Sequence, residues 1–417
     1  MKALVSVAAG SLLLAAGILI ACGGGGDAAA PPPEAGTPDV STPIDAGADS
    51  PARDASVVDS AAPRAPFDGS APQVACAVSP CITKIVAGDK HYCATATDGA
   101  IRCWGDPSPL GDFVAGGDPN AGATPVVLTG LSDAVDISVS SQQTCVAHPD
   151  GGVACFGANN PTPTPVTEVP AATKLSVSDT RSCAVLTTGD LFCWGNSYQW
   201  GMGNVVMPLG AQHAVAAAVA QAGGFAIGSQ GTLFSWGSDT TLLGRGTPFM
   251  QDLTPAPVTG VPTVLQVATS NGSAVALGSD GRLFGWGHNT NGVLGIGSLQ
   301  GAPTVTEILF DTQAWPTQVA ISVTHSCARL SDGSLSCWGA MNKSGQLGYE
   351  SLVGVYVPTM VQGLKHAVVA VAVGMFSTCI LSDDGSVQCW GDNTSGQLAL
   401  GTRDEARHVS PTAVVFH

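Results

Sequence analysis

Pairs of apolar residues separated by one residue recur along the chain: Ile85/Ala87, Ile137/Val139, Leu175/Val177, Ala217/Val219, Val319/Ile321 and Val371/Val373, with Val267/Thr269 in the same register. Alternation of period two puts such pairs on one face of a strand. Six residues after each pair starts a second frame: "CATATDGAIRCWG" from Cys93, "CVAHPDGGVACFG" from Cys145, "CAVLTTGDLFCWG" from Cys183 and "FAIGSQGTLFSWG" from Phe225. It continues as "VALGSDGRLFGWG" from Val275, "CARLSDGSLSCWG" from Cys327 and "CILSDDGSVQCWG" from Cys379. Two short strands around a Gly-containing turn predict a β-hairpin. A polar loop then leads to a Pro-plus-apolar segment such as "TPVVLTGL" from Thr124, "TPAPVTGV" from Thr254 or "VPTMVQGL" from Val357. Each unit therefore supplies about four strands. In the fourth unit "HAVAAAVAQAGG" has helical propensity. The repeat register makes it a strand.

Seven aromatics precede Gly at equivalent places: Trp104, Phe156, Trp194, Trp236, Trp286, Trp338 and Trp390. A recurrence of 38 to 52 residues between frames marks a repeat architecture. Seven units of about four strands predict an all-β, seven-bladed β-propeller over residues 73–417. The aromatics are read as blade-packing residues, and Trp200 as core in a loop slot otherwise filled by Leu. His91 and His325, two residues before the Cys position, are read as hydrogen-bonding within a blade rather than holding a metal. The final segment "SPTAVVFH" is expected to complete the first blade and shut the ring without exposed edges. "GIGSLQG" (Gly295–Gly301) mimics a phosphate loop, but no helix follows it. No cofactor or metal site is expected.

Composition changes the picture at the N-terminus. Met1-Lys2 and the apolar run Ala3–Ile20 end in "LIAC", Leu19–Cys22. About 20 apolar residues could span a bilayer, but a small residue before Cys resembles a bacterial lipoprotein signal. Residues 1–21 are expected to be removed and Cys22 to carry lipid. Gly23, in place of an Asp that retains lipoproteins at the inner membrane, points to the outer membrane of a bacterial cell envelope. Residues 22–72 are rich in Gly, Ala, Pro and Asp, with eight acids against Arg53 and Arg64. Such a segment buries too little apolar surface to offset its ordering entropy, so it reads as a disordered tether. Its reach is on the order of 40 Å. The formal net charge of -16, with six Lys and nine Arg scattered, argues against nucleic acid.

Thirteen Cys minus Cys22 leaves an even twelve. Ten form pairs ten residues apart: Cys93/Cys103, Cys145/Cys155, Cys183/Cys193, Cys327/Cys337 and Cys379/Cys389. Cys76 and Cys81 open the folded region. The two copies that lack one partner lack both: Phe225 with Ser235, Val275 with Gly285. Joint loss is what bonded partners produce, and disulfides persist outside the cytoplasm. The rival reading, zinc, favours closer Cys pairs. A three-residue Thr97-Asp98-Gly99 loop with Gly99 left-handed sets Cys93 opposite Cys103, at about 4.5 Å between Cα atoms. Each bridge closes a loop of about 11 residues, adding up to roughly 2.5–3 kcal/mol by chain entropy.

With these frames in hand, "GDKHYCATATDGAIRCWGD", "WGAMNKSGQLG" (338–348) and "WGDNTSGQLALG" (390–401) resemble the repeats of the regulator of chromosome condensation family. The resemblance covers roughly residues 82–417. The second copy departs from it, being short, Pro-rich and without Gly-Gln-Leu-Gly. The resemblance implies a seven-bladed propeller, and it leaves activity open because fold does not fix function.

Three classes of function follow. The first is a non-enzymatic, monomeric module that binds a protein or surface polymer; the family's secreted β-lactamase inhibitor shows that an extracellular member can act by binding alone. The second is nucleotide exchange on a small GTPase, the namesake's activity, which an exported chain could not reach. The third is glycan cleavage, but sialidase-type wheels carry Ser-x-Asp-x-Gly-x-Thr-Trp, whereas here Asp332 and Gly333 are adjacent. No acid/base pair is recognisable, so the first class is preferred. Specificity should lie where copies differ, in the loops after Trp-Gly. Their off-pattern anchors are Phe113, Arg245, Phe249, Tyr349 and Tyr356. Non-reducing peptide mapping should recover Cys93–Cys103 and its four counterparts; Cys93 joined to another repeat would refute the hairpin register.

Overall fold

The computed structural model describes residues 66–70, 72–114, 118–195, 204–246 and 251–416. Residues 1–65, with Cys22, the signal segment and most of the tether, lie outside the described residues, as do Trp200 and Phe249. Among the described residues, 28 strands form seven four-stranded antiparallel sheets, each built from four consecutive strands. In the first blade these are β1 (Ile82–Ala87), β2 (His91–Ala96), β3 (Ile101–Gly105) and β4 (Val126–Val127). The Ala-rich stretch Ala214–Val219 is the inner strand of the fourth blade. Pairing with Gly223–Gly228 overrides its helical propensity.

The second and third strands form the stapled hairpin. Gly99 has φ 77°, its N–H reaches Ala96 O at 3.0 Å, and Ala96 N–H reaches Ala100 O at 3.2 Å. Cys93 and Cys103 are cross-strand partners and are bonded, with Cα atoms 4.1 Å apart. Cys145–Cys155, Cys183–Cys193, Cys327–Cys337 and Cys379–Cys389 repeat this, and Cys76 is joined to Cys81. In the two blades without a bridge, Phe225 faces Ser235 and Val275 faces Gly285 in the same slot. Apolar contact takes over there, with the Phe225 ring edge-on to Trp286 at 5.6 Å.

The inner strands line a central channel, and their polar side chains replace a missing strand-to-strand ladder. The Gln266 amide donates to Val319 O at 2.9 Å and accepts from Val319 N–H at 3.0 Å. Gln318 does the same for Val371 in the next blade, at 3.4 and 3.0 Å. Asp136 accepts from Leu175 N–H at 2.8 Å and pairs with Lys84, while Ser176 accepts from Val219 N–H at 2.9 Å. These contacts satisfy edge groups that would otherwise face the channel unpaired.

Ring closure differs from the sequence expectation. The last strand, Asp404–Ala413, pairs with Val387–Asn393 and finishes the seventh blade, not the first. The first blade's outer position is already filled by β4, which pairs with β3. The repeat is thus in phase with the blade, so no strand is left to share. Closure rests instead on a segment before β1. Ala75 N–H and Ala77 N–H donate to Asp383 O and Asp384 O at 2.6 and 2.8 Å, on the tip of the seventh hairpin. Tyr92 Oη bonds Ser377 Oγ at 2.8 Å and accepts from Gly374 N–H at 3.0 Å.

The recurring Trp joins neighbouring blades. Trp286, Trp338 and Trp390 donate their indole N–H to Leu242 O, Val293 O and Gln346 O of the preceding blade, at 2.8, 2.8 and 2.9 Å. Trp104 closes the series on Gln397 O at 3.0 Å. Each acceptor precedes a Leu that is fully buried (Leu243, Leu294, Leu347 and Leu398). A left-handed Gly usually follows: Gly244, Gly295 and Gly348, with Ala399 (φ 56°) in the seventh blade. At Gly295 a Cβ would stand 2.6 Å from the Trp338 indole nitrogen. Gly295→Ala should therefore cost about 2–4 kcal/mol in urea unfolding, from left-handed strain plus overpacking. Gly363, at φ 80° with nothing within 4 Å, isolates the strain alone, and Gly363→Ala should cost about 1 kcal/mol. Equal losses would show that the indole does not press on this loop.

Candidate binding face

Antiparallel strand order gives the wheel two unlike faces. Hairpin tips such as Thr97–Gly99 and Asp383–Gly385 lie on one. The loops from inner to second strand, and from third to outer strand, lie on the other. Around the channel on this loop face, Gly88, Asp89, Ser140, Ser141, Ser178, Asp179, Ser270, Asn271 and Ser322 line a polar mouth. Below it the inner strands enclose a space of ≈ 380 Å³. A radial recess runs outward from Asn271 past His288, which bonds Asp239 Oδ2 through Nε2 at 2.8 Å.

The mouth is acidic on one side. Asp89 comes from the first blade and Asp179 from the third; Ser141 of the second donates to Asp179 Oδ2 at 2.6 Å. Asp89 is exposed at its surface, but partial desolvation by the surrounding walls of the recess, and the nearby Asp179, push its carboxyl above the usual range. Blades five and six offer Thr269, Ser270, Asn271, Ile321, Ser322 and Val323 to the opposite side, none of them charged. None of these residues was singled out from sequence. The available signal was position: Asp89 and Asp179 stand two residues beyond Ala87 and Val177, where each inner strand ends.

The described anchor residues are not brought together. Phe113 lies in a 3₁₀ turn (Ser108–Phe113) and packs edge-on to Phe156 at 5.2 Å. Arg245 pairs with Asp252 at 2.8 Å inside its own loop. Tyr349 is half-buried beside Trp390, and burial raises its pKa. Tyr356 packs over Gly292 of the preceding blade. Each has a local packing partner, and they sit at separate blade junctions of the loop face. Sequence also missed the buried Asn289, Asn342 and Asn393, which hold these loops. Asn342 Nδ2 donates to Tyr349 O at 2.9 Å while its Oδ1 accepts from Leu347 N–H at 2.9 Å. Their recurrence three or four residues after the Trp was the signal.

The two buried histidines depart from a purely within-blade role. His325 Nε2 bonds Thr378 Oγ1 of the next blade at 2.8 Å, while Nδ1 lies 3.1 Å from Thr324 Oγ1. His91 is completely buried, and neither ring nitrogen has a hydrogen-bond partner among the described residues. Burial lowers its pKa to about 4, against the opposing pull of Asp106 and Asp179. Burial lowers that of His325 to about 3.

A disulfide-stapled seven-bladed propeller is the class this geometry defines. Profiles described as "Regulator of chromosome condensation (RCC1) repeat" match residues 82–108, 264–293, 317–346 and 368–397, and also 280–329 and 332–381. The chain carries repeats of this family within a seven-bladed propeller. Protein RCC2 of Mus musculus is 37% identical over 94 residues, 22% of this chain and 18% of that protein. RCC1 domain-containing protein 1 of Mus musculus is 40% identical over 89 residues, 21% of this chain and 23% of that protein. The chain thus spans less than a quarter of the length of either relative. Among solved structures, human WBSCR16 superposes with TM-score 0.67 at 20% identity, over 76% of this chain and 95% of that one. Prp20p from Saccharomyces cerevisiae gives 0.66 at 18%, over 81% and 87%. These likenesses show the fold.

The histidines make a pH prediction. Unfolded, each would bind a proton near pH 6.5; folded, only near about 4 for His91 and about 3 for His325. Their neutral, buried state is fully favourable above pH 6.5, and stability falls as pH drops through the window to 4. At pH 4.5 the loss is on the order of 2–3 kcal/mol per histidine. His91→Gln, borrowing the residue that stands in this slot as Gln143, should reduce the fall in urea stability between pH 7 and 4.5. An unchanged slope would show that His91 titrates normally.

Proposed function

We propose that this protein is a lipid-anchored, monomeric component of a bacterial cell envelope, on the outer membrane. Its propeller works without catalysis, binding a protein or surface polymer on the loop face. The observation that carries this reading is where the N-terminal segment meets the wheel. Phe67, the single aromatic residue between positions 23 and 72, lies edge-on to Trp315 at 6.2 Å, beside the Gly281 hairpin tip. Ala75 and Ala77 then bond the seventh hairpin tip. Both contacts are on the hairpin face. A lipid on Cys22 would hold that face toward the membrane and leave the loop face free.

The second reading is nucleotide exchange. The yeast Prp20p structure is described with its binding to Gsp1p and histones, and a second one with Kap60 bound. Binding of proteins by such wheels supports a binding role here. An exported chain, however, would meet no cytoplasmic GTPase.

Metabolic labelling with a palmitate analogue, after expression of the full chain in a Gram-negative bacterium, should mark the wild type and leave Cys22→Ser unlabelled. Equal labelling of both would overturn the anchored placement.

A further inference from the structure

We propose that the acidic side of the channel mouth receives a Lys or Arg side chain presented by a protruding loop of a partner protein. This rests on the reading that the loop face is the binding face, and it names the chemistry that face selects.

Three observations carry it. Asp89 is exposed and makes no hydrogen bond or ion pair with another described residue through its carboxylate, although Asp179 lies close enough to raise its pKa. Two carboxylates sharing a recess repel one another, and a cation between them relieves this. Asp179 is already oriented by Ser141 Oγ, so one oxygen is held while the other is open to a ligand.

Second, the group beneath Asp89 supplies no charge; Arg181, in the same slot of the third blade, is buried and has an interaction of its own. His91 lies under its floor: a Cβ on Gly88 would overlap both the imidazole and Ser140 O. That ring is buried with both nitrogens unpartnered among the described residues, and Asp106 and Asp179 are within electrostatic reach. Being neutral at pH 7, it cannot offset their charge. Lys84, deeper in the channel, is paired with Asp136. Lys90, one residue beyond Asp89, is exposed and is the cation that acts on the Asp89 carboxyl.

Third, the lining decides between partner classes. The mouth residues are carboxylates, hydroxyls, an amide and small apolar groups, and none is aromatic. A glycan site would be expected to offer a ring for stacking. Paired carboxylates with flanking hydroxyls suit an ammonium or guanidinium, whose hydrogen bonds to carboxylate are among the stronger ones.

The test uses the full chain and a fluorescent, disulfide-closed hairpin peptide with Lys-Arg at its turn. A neutral twin carries norleucine and citrulline there. Asp89→Asn/Asp179→Asn is compared with Asp150→Asn/Asp332→Asn, an equal change of charge on the hairpin face. Melting curves verify that both double variants stay folded. By fluorescence polarisation at 150 mM salt, the wild type should bind the cationic peptide and ignore the neutral one. The mouth variant should bind it at least tenfold more weakly, and the hairpin-face variant within twofold of wild type. Equal weakening in both variants, an undiminished mouth variant, or no binding by the wild type would each overturn the proposal. Equal binding of the neutral peptide, lost on crowding the mouth with Ser141→Trp, would overturn the cation assignment while keeping the loop face as the binding surface. Loss of binding only in the hairpin-face variant would overturn both.

Discussion

Four of the seven blade junctions rest on one contact: a buried indole N–H donating to a carbonyl in the loop of the blade before it. Neighbouring blades share no continuous backbone ladder; they meet through a few loop backbone bonds, such as Gly297 N–H to Tyr356 O at 2.9 Å, and above all through side chains. An indole suits the task because its large apolar surface fills the gap and its single donor fixes the direction. The partner loop must turn sharply to bring a carbonyl up to the ring. This is why left-handed Gly244, Gly295 and Gly348 stand at the acceptor loops. Leu294, Leu347 and Leu398 lie buried alongside. The Trp-Gly and Gly-Gln-Leu-Gly signatures are therefore two halves of one contact, written in successive repeats.

Within a blade, the cysteines do a different job. They tie the two central strands, leaving the indoles to handle what lies between blades. Because these roles are separate, the fourth and fifth blades can lose the bridge and keep the wheel. There Phe225 and Val275 are fully buried in the slot, and Ser235 Oγ donates to Leu243 O at 2.9 Å. Closure of the ring uses neither a shared strand nor a bridge between blades. It uses the same Trp contact at Trp104, plus a short segment laid across the seventh hairpin tip. That segment lies on the hairpin face, at the place where the ring begins and ends.

The loop face follows from these constraints. Residues common to all repeats are used up in packing, so chemistry must come from positions that vary. Phe113, Tyr349 and Tyr356 stand at such varying positions, yet they pack against neighbouring blades because a loop crossing a junction needs apolar filling of its own. Asp89 and Asp179 vary as well, but they end inner strands, and sevenfold geometry turns all those ends toward one opening.

The sequence by itself determined the number of blades, the strand alternation, the paired cysteines and the packing role of the recurring aromatics. All of these recur with the repeat, and a local rule stated seven times needs no knowledge of the whole. The tertiary structure alone decided which strand ends the ring, because repeat and blade share one phase only once the register is seen. It alone brought Asp89, Ser141 and Asp179 together, 90 residues apart in sequence from first to last. No repeat contains that site. It exists because ring closure points seven separate loops at one axis, and convergence of that kind has no periodic trace along a chain.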